Sequence, residues 1–190
     1  VLATVAALWH GITFGIGSTE VIVFVVWYMF CGMSITAGYH RLFSHRSYSA
    51  SRPVVLFYSL FVAGAFQNSI IEWCSDHRNH HKFTDSDDDP YNALRGFFWS
   101  HMGWVILQRE DGDNDFSNVR DLQADPILAW QHRHIFIIGF IVGMVLPGAI
   151  GFAIGGLGTG IGCFICGGLL RTVFVHHGTF LINSAAHIWG

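Results

Sequence analysis

Charge is scarce in this sequence. Of its 190 residues, Asp, Glu, Lys and Arg make up 12%, about half the roughly 25% of a soluble domain. No basic excess exists either: ten Lys and Arg stand against thirteen Asp and Glu, a formal net charge of −3. These shortages exclude a disordered chain, a nucleic-acid binder and an ordinary soluble enzyme. Cysteine is also sparse. Cys31, Cys74, Cys163 and Cys166 lie in or beside apolar stretches, so no disulfide framework is implied. An initiating Met is missing, and the first apolar run, Val1 to Ile16, has neither a basic n-region nor a clear cleavage site. It does not read as a signal peptide. The C-terminus stops abruptly at His187-Ile188-Trp189-Gly190. The expectation is one membrane domain over residues 1–190, truncated at both ends.

What the chain does have is apolar surface and histidine. Apolar residues reach 52% and mean hydropathy is +0.42. Twelve histidines outnumber the ten Lys and Arg. Five apolar stretches stand out: Val1–Ile16, Val21–Ala37, Val54–Ile71, Ile135–Ile154 and Ile161–Ile182. A membrane span needs roughly 20 apolar residues. The second stretch is predicted to end where Tyr39-His40-Arg41 begins. The fourth and fifth are joined by the Gly-rich Gly155–Gly160, and Pro147 is a place for the fourth to kink.

Nine of the ten basic and twelve of the thirteen acidic residues lie between Arg41 and Arg133. The positive-inside rule puts that segment in the cytoplasm. The third stretch has charged, polar sequence on both sides and ends in Gln67, Asn68 and Ser69, so it reads as an in-plane or re-entrant helix. The predicted fold is therefore all-α: a multi-pass membrane protein with four transmembrane helices in two hairpins, an in-plane helix and a cytoplasmic helical cap. Within the cap, Asp85-Ser86-Asp87-Asp88-Asp89-Pro90 reads as a solvated helix start, and Glu110–Asp115 as a turn. Gly96–Leu107 is apolar and aromatic enough to lie on a membrane surface.

The histidines fall into constellations. His40 and His45 form an H-x4-H; on a straight α-helix their directions differ by about 140°, so they converge only if the helix end unwinds. His77, His80 and His81 form an H-x2-H-H on one helix face, able to give three nitrogens to one metal or to bridge a pair. Fe, Zn, Cu and Ni all suit imidazole. His176, Thr179, Asn183 and His187 make one polar stripe on the last apolar helix, which should face the protein interior. Other readings are plainer: His10, His132 and His134 as interfacial, His101 and His177 as structural hydrogen-bonders, and Cys163-x-x-Cys166 as core.

Four strings carry a family resemblance: Gly38-Tyr39-His40-Arg41-Leu42-Phe43-Ser44-His45, Glu72 through Phe83 with its histidine cluster, Arg95 through Trp104, and Asn183-Ser184-Ala185-Ala186-His187. The sequence resembles the membrane fatty-acid desaturases, specifically the Δ9, stearoyl-CoA desaturase-like branch, from about residue 20 to its end. The resemblance implies an O2-dependent oxidoreductase with a di-iron centre, two iron ions ligated by His40, His45, His77, His80, His81 and His187, and touched through water by Asn183. It implies a third histidine box beyond His187, which this sequence does not reach. Gln67, Trp73 and Thr179 would surround the bend of a kinked acyl tunnel, with Phe180 where the family often has Trp. Arg78, Lys82 and Arg95 would hold an acyl carrier's phosphates, and Asp76 would brace a ligand ring. The substrate would be a fatty acyl-CoA or acyl-lipid, embedded in membrane lipid, with electrons from a separate cytochrome b5, ferredoxin or similar protein. No nucleic acid is involved. The histidine clusters would lie on the cytoplasmic side of a bacterial inner membrane or the endoplasmic reticulum. Two alternatives stay open: a related histidine-box lipid hydroxylase or alkane monooxygenase, and a membrane protein that transports or senses metal.

Overall fold

The computed structural model describes residues 1–84, 86–107 and 115–190, and among these every regular element is helical. Helices α1 (Leu2–Phe14) and α2 (Ser18–Met33) are joined through Gly15 at φ 79°, a backbone state open to glycine at no steric cost. Along α2 and its continuation the buried line runs Val23, Trp27, Cys31, Ile35 and Tyr39, four residues apart, while Ile22, Met29 and Met33 are apolar and exposed. A helix apolar on both faces is suited to lipid on its outer side. The helix does not stop at Ala37, as its hydropathy predicts. It runs on unbroken as a π-helix, Ser34–Ser44, and carries His40 with it.

Helix α3 (Arg52–Gly64) has Pro53 in its first turn, where a missing N–H costs nothing. Thirteen residues span only about 20 Å, short of the roughly 30 Å of a hydrocarbon core. The third apolar stretch is thus not one helix. A turn at 65–69, with Phe66 at φ 56° and Asn68 at φ 63°, divides it, and Ile70 and Ile71 open α4 (Ile70–Phe83). A capping box fixes that start: Ser69 Oγ accepts from Glu72 N, and Glu72 Oε2 accepts from Ser69 N. Helix α5 (Pro126–Arg133) packs on α3 and α4. Gln131 Oε1 accepts from Ile70 N, and Asp125 pairs with Arg52. Residues 110–114 of the acidic 110–115 segment, and Asp85, lie outside the described residues.

Three further helices follow, α6 (Ile135–Phe140), α7 (Leu146–Cys163) and α8 (Arg171–Leu181), linked by π-helical Ile141–Val145 and Phe164–Leu170. The chain stays helical through Pro147, which follows the π-helical turn. It breaks at Gly155 and Gly156, the latter at φ 76°. The two arms then run back along each other: a Cβ on Gly151 would meet Cys163 Sγ at 2.6 Å, and one on Gly168 would meet Met144 Sδ at 2.9 Å. Trp27 Nε1 donates to Val142 O across to α2. Two stretches, Ser18–Ser44 and Ile135–Trp189, are long and apolar enough to cross a membrane.

The exit of α3 lies against Gly143, where a Cβ would come within 2.7 Å of Gly64 O. Neither backbone can yield without moving a helix. Gly143→Ala should cost about 1–3 kcal/mol, seen as a lower unfolding temperature of the purified protein in detergent.

Candidate metal centre

Four histidines from two helix ends meet at one point. Ring nitrogens of His40, His45, His77 and His81 all lie within 4.8 Å of one another. His77 Nε2 is 3.1 Å from the Nε2 of both His45 and His81. The H-x4-H pair converges without unwinding. In the π-helix the bond runs from residue i+5 back to i, as from His45 N to His40 O at 3.0 Å, so residues five apart lie one above the other. The two ring centroids are 4.5 Å apart.

On α4 the second cluster divides. His77 and His81, one turn apart, face His40 and His45. His80 is buried and turns elsewhere: its Nδ1 lies 2.8 Å from Asp89 Oδ1, and its ring is 5.1 Å from that of His187. A carboxylate only accepts, so His80 Nδ1 carries a proton and donates it to Asp89, which fixes the ring's orientation. The six predicted histidines thus group as four plus two. Asp89 is 3% exposed, not part of a solvated helix start, and it braces the His80 ring. The phenol of Tyr91 is pushed up first by burial and then by the charges of Asp76 and Asp89. Tyr91 OH is 3.2 Å from His77 Nδ1; with the proton on Nδ1, the Nε2 of His77 keeps its lone pair.

The rings suit a cation. Burial, then His81 and the other imidazoles, pushes His77 down to about 2, and burial followed by His45 lowers His81. At neutral pH these rings are uncharged, with lone pairs available. Imidazole nitrogens sit about 2.0–2.1 Å from a first-row ion, so ligands at right angles lie about 3.0 Å apart, close to the observed 3.1 Å spacings.

Around the cluster, contacts separate the other predicted residues. Trp73 lies between Tyr39 and His77, stacked on both at 4.9 and 4.8 Å. Gln67 Nε2 donates to Thr179 Oγ1 at 3.0 Å. Phe180 packs on His101, His176 and His177. Asn183 precedes His187 in the π-helical turn Ile182–Ala186. Arg78 spends all five N–H groups on the protein: Nε on Ser44 O, Nη1 on Asn118 O and Asp121 Oδ1, Nη2 on Phe43 O and Asp121 Oδ2. Its contacts make it a clamp between the two histidine helices rather than a free phosphate binder. Lys82 and Arg95 are exposed, Arg95 over the Trp99 ring. His101 bonds His177 and Ser184, a structural pair as expected. His132, expected at the interface, bonds Ser69 Oγ, and His10 is buried.

A fatty acid desaturase family model matches residues 19–190. The chain belongs to the fatty acid desaturase family. It is 42% identical over 166 residues to a Delta(9)-fatty-acid desaturase of Caenorhabditis elegans, fat-7, covering 86% of this chain and 49% of the relative. It is 40% identical over 165 residues to an acyl-CoA desaturase of Cyprinus carpio, covering 85% and 50%. To acyl-CoA desaturase 1 of Saccharomyces cerevisiae it is 40% identical over 167 residues, covering 87% and 32%. The chain spans half or less of the length of these relatives.

Two predictions follow from the bracing groups. Asp89→Ala should weaken metal retention by about 10–100-fold, read as metal per protein after dialysis. Asp121 is the second. Burial alone would raise its carboxyl, but Arg78 and then Arg46 hold it at about 2. Unfolded, it titrates near 3.9, so its stabilisation is full above about pH 4 and lost as pH falls towards 2. At this third-exposed site the effect should be about 1–2 kcal/mol, and acid unfolding of Asp121→Asn should lose that part of its slope.

Proposed function

We propose that this chain carries the histidine-bearing membrane part of an O2-dependent fatty acyl desaturase that places a cis double bond, at Δ9, in a saturated acyl chain. The observation that carries it is the four-plus-two histidine grouping, with His40, His45, His77 and His81 converging and His80 turned by Asp89 towards His187. The first four residues would hold one iron; His80 and His187, with Asn183, would serve a second. Iron bound there would supply an oxidant from O2, two electrons of a separate donor protein and two protons; each of two adjacent methylenes would lose one hydrogen, and O2 would leave as two waters.

The chain's own residues bind, orient and exclude water. Trp73, stacked on His77, gives the acyl chain an apolar wall beside the centre. The Gln67–Thr179 bond crosses from the 65–69 turn to α8 and marks the bend of the acyl path, with Phe180 behind it. Lys82 and Arg95 face solvent and suit the phosphates of an acyl-CoA. Four spans in two hairpins, with α3 in the plane of the membrane and all six histidines on the cytoplasmic side, agree with the length of α3 and the break at Gly155-Gly156.

The test is product analysis of the full-length gene product in a desaturase-deficient host. A monounsaturated acyl chain is expected, and His80→Ala should lower it at least about 100-fold while the protein still reaches the membrane. An alcohol in place of the alkene would move the assignment to the hydroxylases. Metal uptake without O2 consumption would point to a transporter.

A further inference from the structure

Arg171 is the one basic residue of the sequence outside 41–133, and it is wholly buried among apolar helices. A cation so placed is tolerated only where acceptors surround it. Arg171 Nε donates to Gly167 O, Nη1 to Gly64 O at 2.7 Å and Nη2 to Gly143 O at 2.8 Å. Five residues on, His176 Nε2 donates to Ala65 O at 2.8 Å. These two side chains complete an exact need. A helix leaves its last carbonyls without intrahelical partners. At the exit of α3, Val62 O and Ala63 O take the amides of Ala65 and Phe66. Gly64 O and Ala65 O are left, and Arg171 and His176 take them.

Directly beyond this cap lies the 65–69 turn, with Phe66 and Asn68 at positive φ, a state that is strained for a bulky residue such as Phe66 and kept only where surroundings fix it. Its far end is held too: Tyr39 OH donates to Asn68 O, and Ser69 is locked by Glu72 and His132. Gln67 sits between the two anchorages, and Tyr39 stacks on Trp73 beside the histidines.

We infer that Arg171 and His176 are positioning residues: by capping α3 they fix Gln67 relative to the histidine centre, and so set which methylene pair reacts. The inference rests on the acyl path proposed above. Neither residue touches the histidine ligands, so the expected signature is in double-bond position rather than in iron content.

The full-length protein and its variants are expressed in a desaturase-deficient host, and double-bond positions are read by mass spectrometry of stearoyl and palmitoyl products. In His176→Leu the ratio of the main positional isomer to its neighbours should fall about tenfold, equivalent to about 1.4 kcal/mol, with iron per chain unchanged. His176→Gln, which keeps a donor, should restore the ratio to within about twofold of wild type. An unchanged ratio in His176→Leu overturns the inference, as does a His176→Gln loss as deep as that of Leu. If His176→Leu does not accumulate, hydrogen exchange on the wild type decides: amides 66–68 are expected to be protected like those of α4, and exchange as fast as at residues 115–117 overturns the inference. A wild type that makes no alkene defeats the functional reading instead, and the exchange measurement still judges the clamp.

Discussion

Imidazole nitrogens that face one another across 3.1 Å need a proton or a cation between them, and much of the surrounding structure serves to hold them there. His77 does not supply the proton by charging, since burial and then the neighbouring imidazoles hold it far below its ordinary range. The rings cannot swing apart either. His77 is stacked on Trp73 and bonded to Tyr91, and His45 ends a helix whose last bond returns to His40. Rings fixed in this way have the preorganisation that the proposed metal site needs.

That preorganisation is carried by charged groups spent on structure. Arg78 stands one residue after His77 and reaches both carbonyls that precede His45, at Phe43 and Ser44, while Asp121 closes its other edge. The same carboxylate holds Arg46, one residue past His45. One acid therefore binds the flanks of both histidine motifs, and planar, bidentate geometry suits Arg for it better than Lys. Asp89 does for His80 what Asp121 does for the backbone: it fixes one orientation out of several that a helix would allow.

The clustering of histidines was legible because short spacings repeat on a helix; His77 and His81 needed only the helical period to meet. The break of α3 from α4 also had a visible cause in the polar Gln67-Asn68-Ser69 and in the Ser69-x-x-Glu72 capping pattern. Other features were hidden for physical reasons. A π-helix is a choice of backbone partner, and no side chain of Ser34–Ser44 announces it, so the 3.6-residue period misplaced both the end of α2 and the angle between His40 and His45. Asp89 belongs to a run of acids, which by local sequence is solvent-facing; its burial depends on α4 passing over it. Arg78 looked like a free cation because its acceptors are backbone carbonyls, which carry no sequence signature.

The glycines and the lone arginine of the apolar bundle are one arrangement. A guanidinium buried away from water costs several kcal/mol unless its donors are met, and here the acceptors are carbonyls that most helices keep for themselves. Gly64 O is available because α3 ends there. Gly143 O is available because the π-helical turn Ile141–Val145 loosens the local bonding, and the two carbonyls come within reach of one side chain because Gly143 lets the helices touch. A larger residue at that contact would separate the acceptors and strand the charge. The close packing and the buried cation therefore depend on each other, and the strained turn that follows α3 inherits its rigidity from both.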